Sequence, residues 1–260
     1  AIIVVDMKKG AAQGFTIIEV ILFLAVTGLI MSVMLVGIAN GLNQERYRDA
    51  STSLLSYFKG QYSDVVNVSN SRSQYEPCIS GGPADAGRGT SDCFIVGKLL
   101  TSVVTTDAGG NPLVKSIQSR SVFATTEVTP DDVSGLTPPS DIDILKDSDL
   151  IVGDAVDTYT LEWDTALVRP STETAGPTTF SLLIVRMPTS GVVHTYVTNA
   201  AGNSPVEVLN STTSPAEPTA DLKTCIEPGG LIKSTQQYTG VIIGANAANS
   251  GGVKFVMAGD

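Results

Sequence analysis

The sequence predicts an α+β protein, in which one long N-terminal helix precedes a domain of antiparallel strands. Residues 15–39 form an almost unbroken apolar run, and apolar side chains then recur at helical spacing as far as residue 65. After residue 70 the chain is rich in Thr, Ser, Gly, Pro and Val and poor in Lys. That composition is typical of short strands joined by turns.

The first half of the predicted helix, residues 15–39, is long enough to cross a membrane. An α-helix rises about 1.5 Å per residue, and the hydrocarbon core of a bilayer needs about 20 apolar residues. Lys8 and Lys9 precede this segment, and no basic residue follows it until Arg46. The positive-inside rule therefore places the N-terminus in the cytoplasm and exports everything after Asn40.

The second half of the helix, residues 40–69, is predicted to be amphipathic. Its apolar side chains recur every three to five residues, close to one helical face. They are Leu42, Tyr47, Ala50, Leu54, Phe58, Tyr62 and Val65. Arg46, Arg48, Asp49 and Lys59 fall mostly between them and are expected to face water or neighbouring subunits. The two halves together predict one helix of about fifty residues.

Glu19 is the one charged residue inside the apolar segment. A charge at mid-membrane costs about 3 kcal/mol on insertion scales, so an intramembrane carboxylate indicates a partner and a function. The alternative is an ordinary membrane anchor whose Glu19 reaches the lipid headgroups.

The residues before the apolar segment carry a recognisable motif. Lys8 and Lys9 are followed by a run of small residues and then by Gly14, Phe15, Thr16 and Glu19 in the pattern G-F-T-x-x-E. This arrangement resembles the class III signal of type IV pilins and of the pseudopilins of type II secretion. A secretory signal peptide would instead place its small residues after the apolar run.

The resemblance implies how the N-terminus is processed. Residues 1–14 would be a leader, and prepilin peptidase would cut after Gly14. Separately from the resemblance, residues 1–6 fit neither a leader nor the fold, so we expect the true start to be Met7. Phe15 would become the methylated N-terminal residue. Glu19 would then be the fifth residue of the mature chain.

The resemblance also implies a structural role without a cofactor or enzymatic activity. The amphipathic stripe would pack under a C-terminal antiparallel sheet, as in a pilin. The chain would be a subunit, expected to be a minor pilin, of a type IV pilus-like filament, and Glu19 would pair with the Phe15 amine of a neighbour. Its partners would be other pilin subunits, prepilin peptidase, the inner-membrane assembly platform and, before assembly, membrane lipid.

This role implies a single pass through the bacterial cytoplasmic membrane, followed by residence in an extracellular filament. Two alternatives remain open. One is a pseudopilin of a type II secretion or competence system, and the other is a membrane-anchored exported enzyme or solute-binding domain.

The exported domain, residues 70–260, is predicted to be rich in strands. The candidate strands are residues 94–104, 121–126, 158–163, 179–187, 192–198, 222–226, 239–243 and 253–257. Pro188 and Gly191 mark a short loop between a strongly apolar run, residues 180–185, and a run of β-forming residues, 192–197, which predicts an antiparallel hairpin. Residues 105–157 are polar and are expected to form long surface loops or an insertion. Residues 200–220 are expected to form a loop of low complexity.

The composition argues against several classes of function. The net charge is −10 and no cluster of basic residues occurs, which argues against binding nucleic acid. His194 is the only histidine, and on a predicted strand it is expected to be a surface or edge residue rather than a catalytic one. The chain contains no G-x-S-x-G motif, no P-loop and no C-x-x-C pair, so we expect no enzymatic activity.

The three cysteines are Cys78, Cys93 and Cys225. The first two flank a glycine-rich segment that would let them meet, and a disulfide closing such a loop would contribute about 3 kcal/mol. An exported domain favours this bridge. Because a third cysteine is present, Cys78 or Cys93 could instead pair with Cys225. Otherwise Cys225 is expected to be a small buried residue on a strand.

An acidic run could bind calcium, which takes six to eight oxygen ligands from flexible loops. The candidate ligands are Asp141, Asp143, Asp147 and Asp149, with Asp154 and Asp157 following. The run lacks the order of an EF-hand loop, so a solvated acidic loop without metal is the preferred interpretation.

Overall fold

The computed structural model describes residues 16–68, 94–124, 141–170, 176–187, 190–211, 221–227, 239–245 and 247–257. The chain divides into two compact units, residues 1–44 and residues 45–260. Each unit is described by itself below. Helix and antiparallel strands are both present, so the predicted α+β class is confirmed.

The described residues contain three α-helices and nine strands. The helices are α1 (Ile17–Val66), α2 (Asp141–Asp147) and α3 (Pro205–Ser211). The strands are β1 (Phe94–Thr106), β2 (Pro112–Ala124), β3 (Leu150–Thr160), β4 (Ala166–Val168), β5 (Ser181–Arg186), β6 (Val193–Thr198), β7 (Leu222–Glu227), β8 (Thr239–Ile243) and β9 (Val253–Met257). Helix α1 has 50 residues, which confirms the predicted single long helix.

The first unit consists, in its described part, of residues 16–44 of helix α1. The helix continues without interruption through Gly28, Gly37 and Gly41. Glycine lowers helix stability by up to about 1 kcal/mol relative to alanine, but tolerance of small residues is common in membrane helices. The apolar sequence around these glycines therefore maintains the helix.

The second unit contains two antiparallel sheets. Five strands form the first sheet in the order β3-β2-β1-β5-β6, and four strands form the second in the order β4-β7-β8-β9. Strands β5 and β6 pair directly, with Ser181 opposite Thr198 and Arg186 opposite Val193, so the predicted hairpin is confirmed. A short 3₁₀ turn (Glu162–Asp164) separates β3 in the first sheet from β4 in the second.

The second half of helix α1 packs against both sheets. Its buried side chains share one hydrophobic core with residues such as Leu100 of β1, Ile184 of β5 and Val241 of β8. The buried apolar positions of the helix are Tyr47, Ala50, Leu54, Phe58, Tyr62 and Val65. The predicted stripe is therefore confirmed at these six positions. It is wrong at Leu42, which is 53% exposed and belongs to the first unit.

Polar contacts also join helix α1 to the first sheet. The Lys98 ammonium lies 2.5 Å from an Asp64 carboxylate oxygen and donates to Gln61 Oε1 at 3.1 Å. The same Gln61 oxygen accepts a hydrogen bond from Ser119 at 2.9 Å. These bonds satisfy polar groups that burial would otherwise make costly, and they join α1 to strands β1 and β2.

The other face of the five-stranded sheet is covered by the two short helices. Successive side chains of a strand point to opposite faces, and in β5 Leu182 and Ile184 belong to the core shared with α1. Leu183 and Val185 belong to a second core, which contains Leu145 of α2 and the buried residues of α3. Strand β5 is therefore buried on both faces, which explains its continuously apolar sequence.

The loop predictions for residues 105–157 and 200–220 are wrong for most of the described residues, although residues 107–111 and 200–204 do lie outside helices and strands. Strand β2 begins at Pro112, α2 covers Asp141–Asp147, and β3 covers Leu150–Thr160. Strand β3 lies at the edge of its sheet, where exposed polar residues are tolerated, so its composition resembled that of a loop. Only its last three residues, 158–160, belong to the strand predicted at 158–163.

Helix α3 occupies part of the second predicted loop and begins with a reciprocal cap. The Ser204 N–H donates to Glu207 Oε2 at 2.7 Å, and the Glu207 N–H donates to Ser204 Oγ at 3.3 Å. Ser-x-x-Glu with proline at the first helical position is a recognised helix start. This helix start was missed because the surrounding residues are rich in Ser, Thr and Pro, a composition that is typical of loops.

Candidate functional site

The candidate functional site is the apolar half of helix α1, residues 16–39, which includes Glu19. The helix begins directly after Thr16, whose hydroxyl accepts a hydrogen bond from the Glu19 N–H at 3.3 Å. The Thr16 carbonyl accepts a second bond from the Val20 N–H at 3.2 Å. Thr16 is therefore the N-cap, and Glu19 lies at the third helical position.

The capping role of Thr16 was not identified from the sequence. The spacing Thr-x-x-Glu before an apolar run is the sequence signature of a capping box, so the signal was present. A carboxylate in the first turn is also favoured by the helix dipole, because the amino end of a helix carries partial positive charge. The position of Glu19 therefore supports the start of its own helix.

Glu19 is exposed, and it is the only charged residue between Thr16 and Gln44. Every large apolar side chain from Ile17 to Ile38 is also exposed, by 44% to 79%. An apolar surface of this extent is unusual in a soluble protein and indicates contact with lipid or with other apolar helices.

The uncharged polar side chains of this segment are satisfied within the helix. The Thr27 hydroxyl donates to the Phe23 carbonyl at 2.8 Å, and the Ser32 hydroxyl donates to the Gly28 carbonyl at 2.9 Å. Such bonds remove the cost of placing hydroxyl groups in hydrocarbon. Among the described residues, α1 is the one helix long and apolar enough to cross a membrane.

Several residues singled out from the sequence lie outside the described residues. They are Gly14 and Phe15 at the predicted cleavage junction, and Cys78 and Cys93 of the predicted disulfide. Cys225 lies on β7 opposite Val168 of β4 and is buried, which confirms its predicted place on a strand.

The acidic run forms a short helix rather than a loop. Asp143 and Asp147 lie on α2, and the side chain of Asp141 is outside the description. Asp149 follows the helix with a φ of 47°, a left-handed conformation that aspartate tolerates better than most residues. The described part of the chain contains no group of three or more His, Cys, Asp or Glu side chains that could hold a metal ion.

His194 lies half-buried on β6, an edge strand of the five-stranded sheet, so its predicted edge position is confirmed. Its ring lies 6.2 Å from that of Tyr196 in a nearly parallel arrangement.

An open cleft of about 390 Å³ lies between the two sheets of the second unit, where Arg169, Thr178, Asp221 and Lys223 line it. Asp221 accepts a hydrogen bond from the Ala245 N–H at 2.9 Å. Neither His194 nor Cys225 lines the cleft.

Comparisons with protein-family models, with curated proteins and with solved structures found no match to this chain.

Proposed function

We propose that this chain is a structural subunit, a minor pilin, of a type IV pilus-like filament. The observation that carries the proposal is Glu19, the only charge in an exposed apolar half-helix. The G-F-T-x-x-E motif around it supports cleavage after Gly14 by prepilin peptidase and methylation of Phe15. The mature chain would then begin four residues before Glu19.

Docking through Glu19 follows from the energetics of charge in hydrocarbon. An isolated carboxylate there costs about 3 kcal/mol on insertion scales. The N-terminal amine of a neighbouring Phe15 would offset that cost and would be stabilised in return. Leaving either charge alone in an apolar bundle is unfavourable, so the pair selects one register between neighbouring helices.

The rest of the subunit fits this role. The apolar half of α1 would lie in the cytoplasmic membrane before assembly and in the filament core afterwards. Residues 45–260 would be exported and displayed outside the helical core. The second layer formed by α2 and α3 gives this domain more surface than one helix under one sheet, which supports a specialised minor subunit.

Two other functions remain as alternatives. A pseudopilin of a type II secretion or competence system would use the same helix and the same Glu19, and the genes beside this one would distinguish it. A membrane-anchored solute-binding domain is favoured only by the cleft lined by Arg169 and Lys223. Saturable binding of a small anion by the purified chain would support that second alternative.

The experiment compares Glu19→Leu and Glu19→Gln with the wild-type chain in the native host. If Glu19 docks onto a neighbour, both variants should insert into the membrane and be cleaved but should be lost from sheared filaments. Glu19→Gln keeps size and hydrogen bonding and loses only the charge. Immunoblots of membranes and sheared filaments measure the distribution, and intact mass measures cleavage and methylation.

Two controls separate docking from processing and from general loss of charge. Glu45→Gln removes an exposed carboxylate from the same helix outside the apolar half and should assemble normally. Gly14→Val should block cleavage, so its product should retain the leader and stay in the membrane. Wild-type incorporation of Glu19→Leu would refute docking, and a mature chain starting after residue 39 would refute the pilin assignment.

A further inference from the structure

The cleft of about 390 Å³ lies where strand ends from the two sheets of the second unit meet. Arg169 directly follows β4, and Lys223 lies on β7, the strand that pairs with β4. From the other sheet come residues 178–179, just before β5, and residues 197–199 at the end of β6. The cleft therefore collects side chains from four strand ends within one compact unit.

Hydrogen bonds hold the walls of the cleft in place. The Arg169 N–H donates to the Gly176 carbonyl at 2.9 Å, which fixes the chain directly after β4. The Thr179 hydroxyl donates to the Asn199 carbonyl at 2.8 Å, which joins the segment before β5 to the end of β6. These bonds between its own walls favour a preformed binding site.

Three charged side chains line the cleft, namely Arg169, Lys223 and Asp221. All three are exposed, and within the described part of the chain none of them forms an ion pair. Asp221 uses Oδ1 to accept the Ala245 N–H, so Oδ2 is left for another donor. Two cations and one carboxylate give the cleft a single net positive charge, although the whole chain carries −10. That charge is complementary to a ligand with one negative charge.

Thr178 adds a buried polar group without a partner to the lining of the cleft. Only 5% of this residue is exposed, and its hydroxyl has no hydrogen-bond partner among the described residues. Buried polar groups are normally paired, because an unpaired group loses its hydration without compensation. A ligand hydroxyl in the cleft would provide the missing partner.

Neutral polar side chains make up much of the remaining lining. Thr198 and Asn199 come from the end of β6, and Ser211 comes from the end of α3. Hydroxyl and amide groups both donate and accept hydrogen bonds, so they suit a ligand that carries several hydroxyl groups. A compact anion such as phosphate would pair with the cations but would be repelled by Asp221.

We propose that this cleft binds an acidic sugar, a ligand with one carboxylate and several hydroxyl groups. Arg169 binds the carboxylate through two parallel hydrogen bonds, and Lys223 adds a second positive charge. Asp221 accepts a hydrogen bond from one ligand hydroxyl, and Thr178 pairs with another. This site is independent of the proposed function, since it would serve a filament subunit and a membrane-anchored domain alike. The Glu19→Leu comparison, and not sugar binding, distinguishes those two roles.

The test measures the binding of sodium glucuronate to the purified full chain in an uncharged detergent by isothermal titration calorimetry. Each comparison ligand lacks one feature of glucuronate. Glucose lacks the carboxylate, acetate lacks the hydroxyls, phosphate is a more compact anion, and glutamate carries an ammonium group in place of hydroxyls. We expect saturable binding of one glucuronate per chain and at least about tenfold weaker binding of the comparison ligands.

Two variants and a matched control locate the site. Arg169→Gln and Lys223→Gln each remove one cation from the cleft, and each should weaken glucuronate binding by at least about tenfold. Lys254→Gln removes an exposed cation from β9, outside the cleft, and should leave binding unchanged. Circular dichroism and thermal melts confirm that the three variants are folded.

Thr178→Val separates a binding role from a structural one. Valine keeps the shape of the side chain and removes the unpaired hydroxyl, so the free chain should be as stable as the wild type or more stable. Glucuronate binding should nevertheless weaken severalfold. Unchanged affinity would contradict the contact assigned to Thr178.

Other outcomes would overturn the acidic-sugar site as a whole. Equally tight binding of phosphate or acetate would show an unselective anion site, and equally tight binding of glutamate would show selection for an amino acid. A folded chain without saturable glucuronate binding would reject the site outright. Equal losses in Lys254→Gln and Arg169→Gln would show that the overall charge of the chain controls binding. None of these results bears on docking through Glu19, so the sugar site can fail while the proposed function stands.

Discussion

Tyr62 places a polar group in the centre of the core. The Thr195 hydroxyl donates to the Ala247 carbonyl at 2.6 Å, so the Tyr62 hydroxyl, 2.8 Å from Thr195 Oγ1, donates to Thr195. This chain of bonds connects helix α1, strand β6 and the segment before β9. Burial raises the pKa of Tyr62 to about 12, because the charged phenolate would be poorly solvated there.

The stability of the second unit should fall at alkaline pH. Burial raises the pKa values of Tyr57, Tyr62 and Tyr159, so in each case the folded state binds the proton more tightly than the unfolded state. Their contribution is complete below the unfolded value of about 10 and is lost as pH rises toward the folded values. For Tyr62 the loss is roughly 1 to 3 kcal/mol between pH 10 and 12. Thermal melts of the full chain in detergent, followed by near-ultraviolet circular dichroism at increasing pH, would measure it.

Tyr62→Phe is the matched variant for this prediction. At neutral pH it should lower stability by about 1 kcal/mol, since one buried hydrogen bond is removed. The stability of this variant should fall less steeply with rising pH than that of the wild-type chain. Some decline should remain, because Tyr57 and Tyr159 still contribute. An equally steep decline in both proteins would contradict the role assigned to Tyr62.

Strand β1 depends on a glycine for its place in the sheet. Gly97 lies beside an irregularity in the pairing of β1 with β2, and it pairs with Val185 of β5. A Cβ atom at this position would collide with the Ile184 carbonyl oxygen and would lie 2.8 Å from the Val185 Cα. Backbone atoms of a central strand cannot move aside cheaply, so only glycine fits here.

Gly97→Ala should therefore destabilise the five-stranded sheet by at least about 2 kcal/mol. Gly60→Ala is the control, because a Cβ there meets no atom within 4 Å and alanine favours helix α1. The control should be neutral or more stable by up to about 1 kcal/mol. Denaturant titration of the two variants compares them, and equal stability would show that β1 and β5 are not paired in this register.

At the scale of the whole molecule, the second half of α1 belongs to the core of residues 45–260. Phe58 is fully buried and contacts Phe180 with ring centres 6.2 Å apart, and Leu54 and Tyr62 are also fully buried. Fully burying a large apolar side chain contributes about 1.5 to 3 kcal/mol. The buried stripe together therefore contributes as much as the entire net stability of a domain, about 5 to 15 kcal/mol.

Two truncated chains test whether the buried stripe of α1 is part of the core of residues 45–260. Residues 45–260 should form a water-soluble domain with a cooperative thermal transition, whereas residues 70–260 should not fold. Size-exclusion chromatography and circular dichroism distinguish the outcomes. A peptide of residues 45–68 added to the shorter chain should restore the transition, and cooperative folding of residues 70–260 alone would show that the stripe is dispensable.

Local pattern by itself determined helix α1, six buried positions of its stripe and the β5–β6 hairpin. These features depend on contacts between near neighbours or on strong periodicity, so the residues that specify them are adjacent in the sequence. The same pattern placed Glu19 inside the apolar segment. It also predicted strands β1, β7, β8 and β9 close to their observed bounds.

Only the tertiary structure decided which strands form which sheet, where the burial of the α1 stripe begins, and that α2 and α3 cover the second face. Strand β3 carries polar residues because it lies at an edge, and Leu42 is exposed because the described part of its unit, residues 16–44, contains no sheet to pack against it. The left-handed backbone of Trp163, with a φ of 58°, has no local signal either, since Arg46 and Asp49, more than one hundred residues earlier, hold its side chain. Such features depend on partners distant in sequence, and single-sequence periodicity carries no information about those partners.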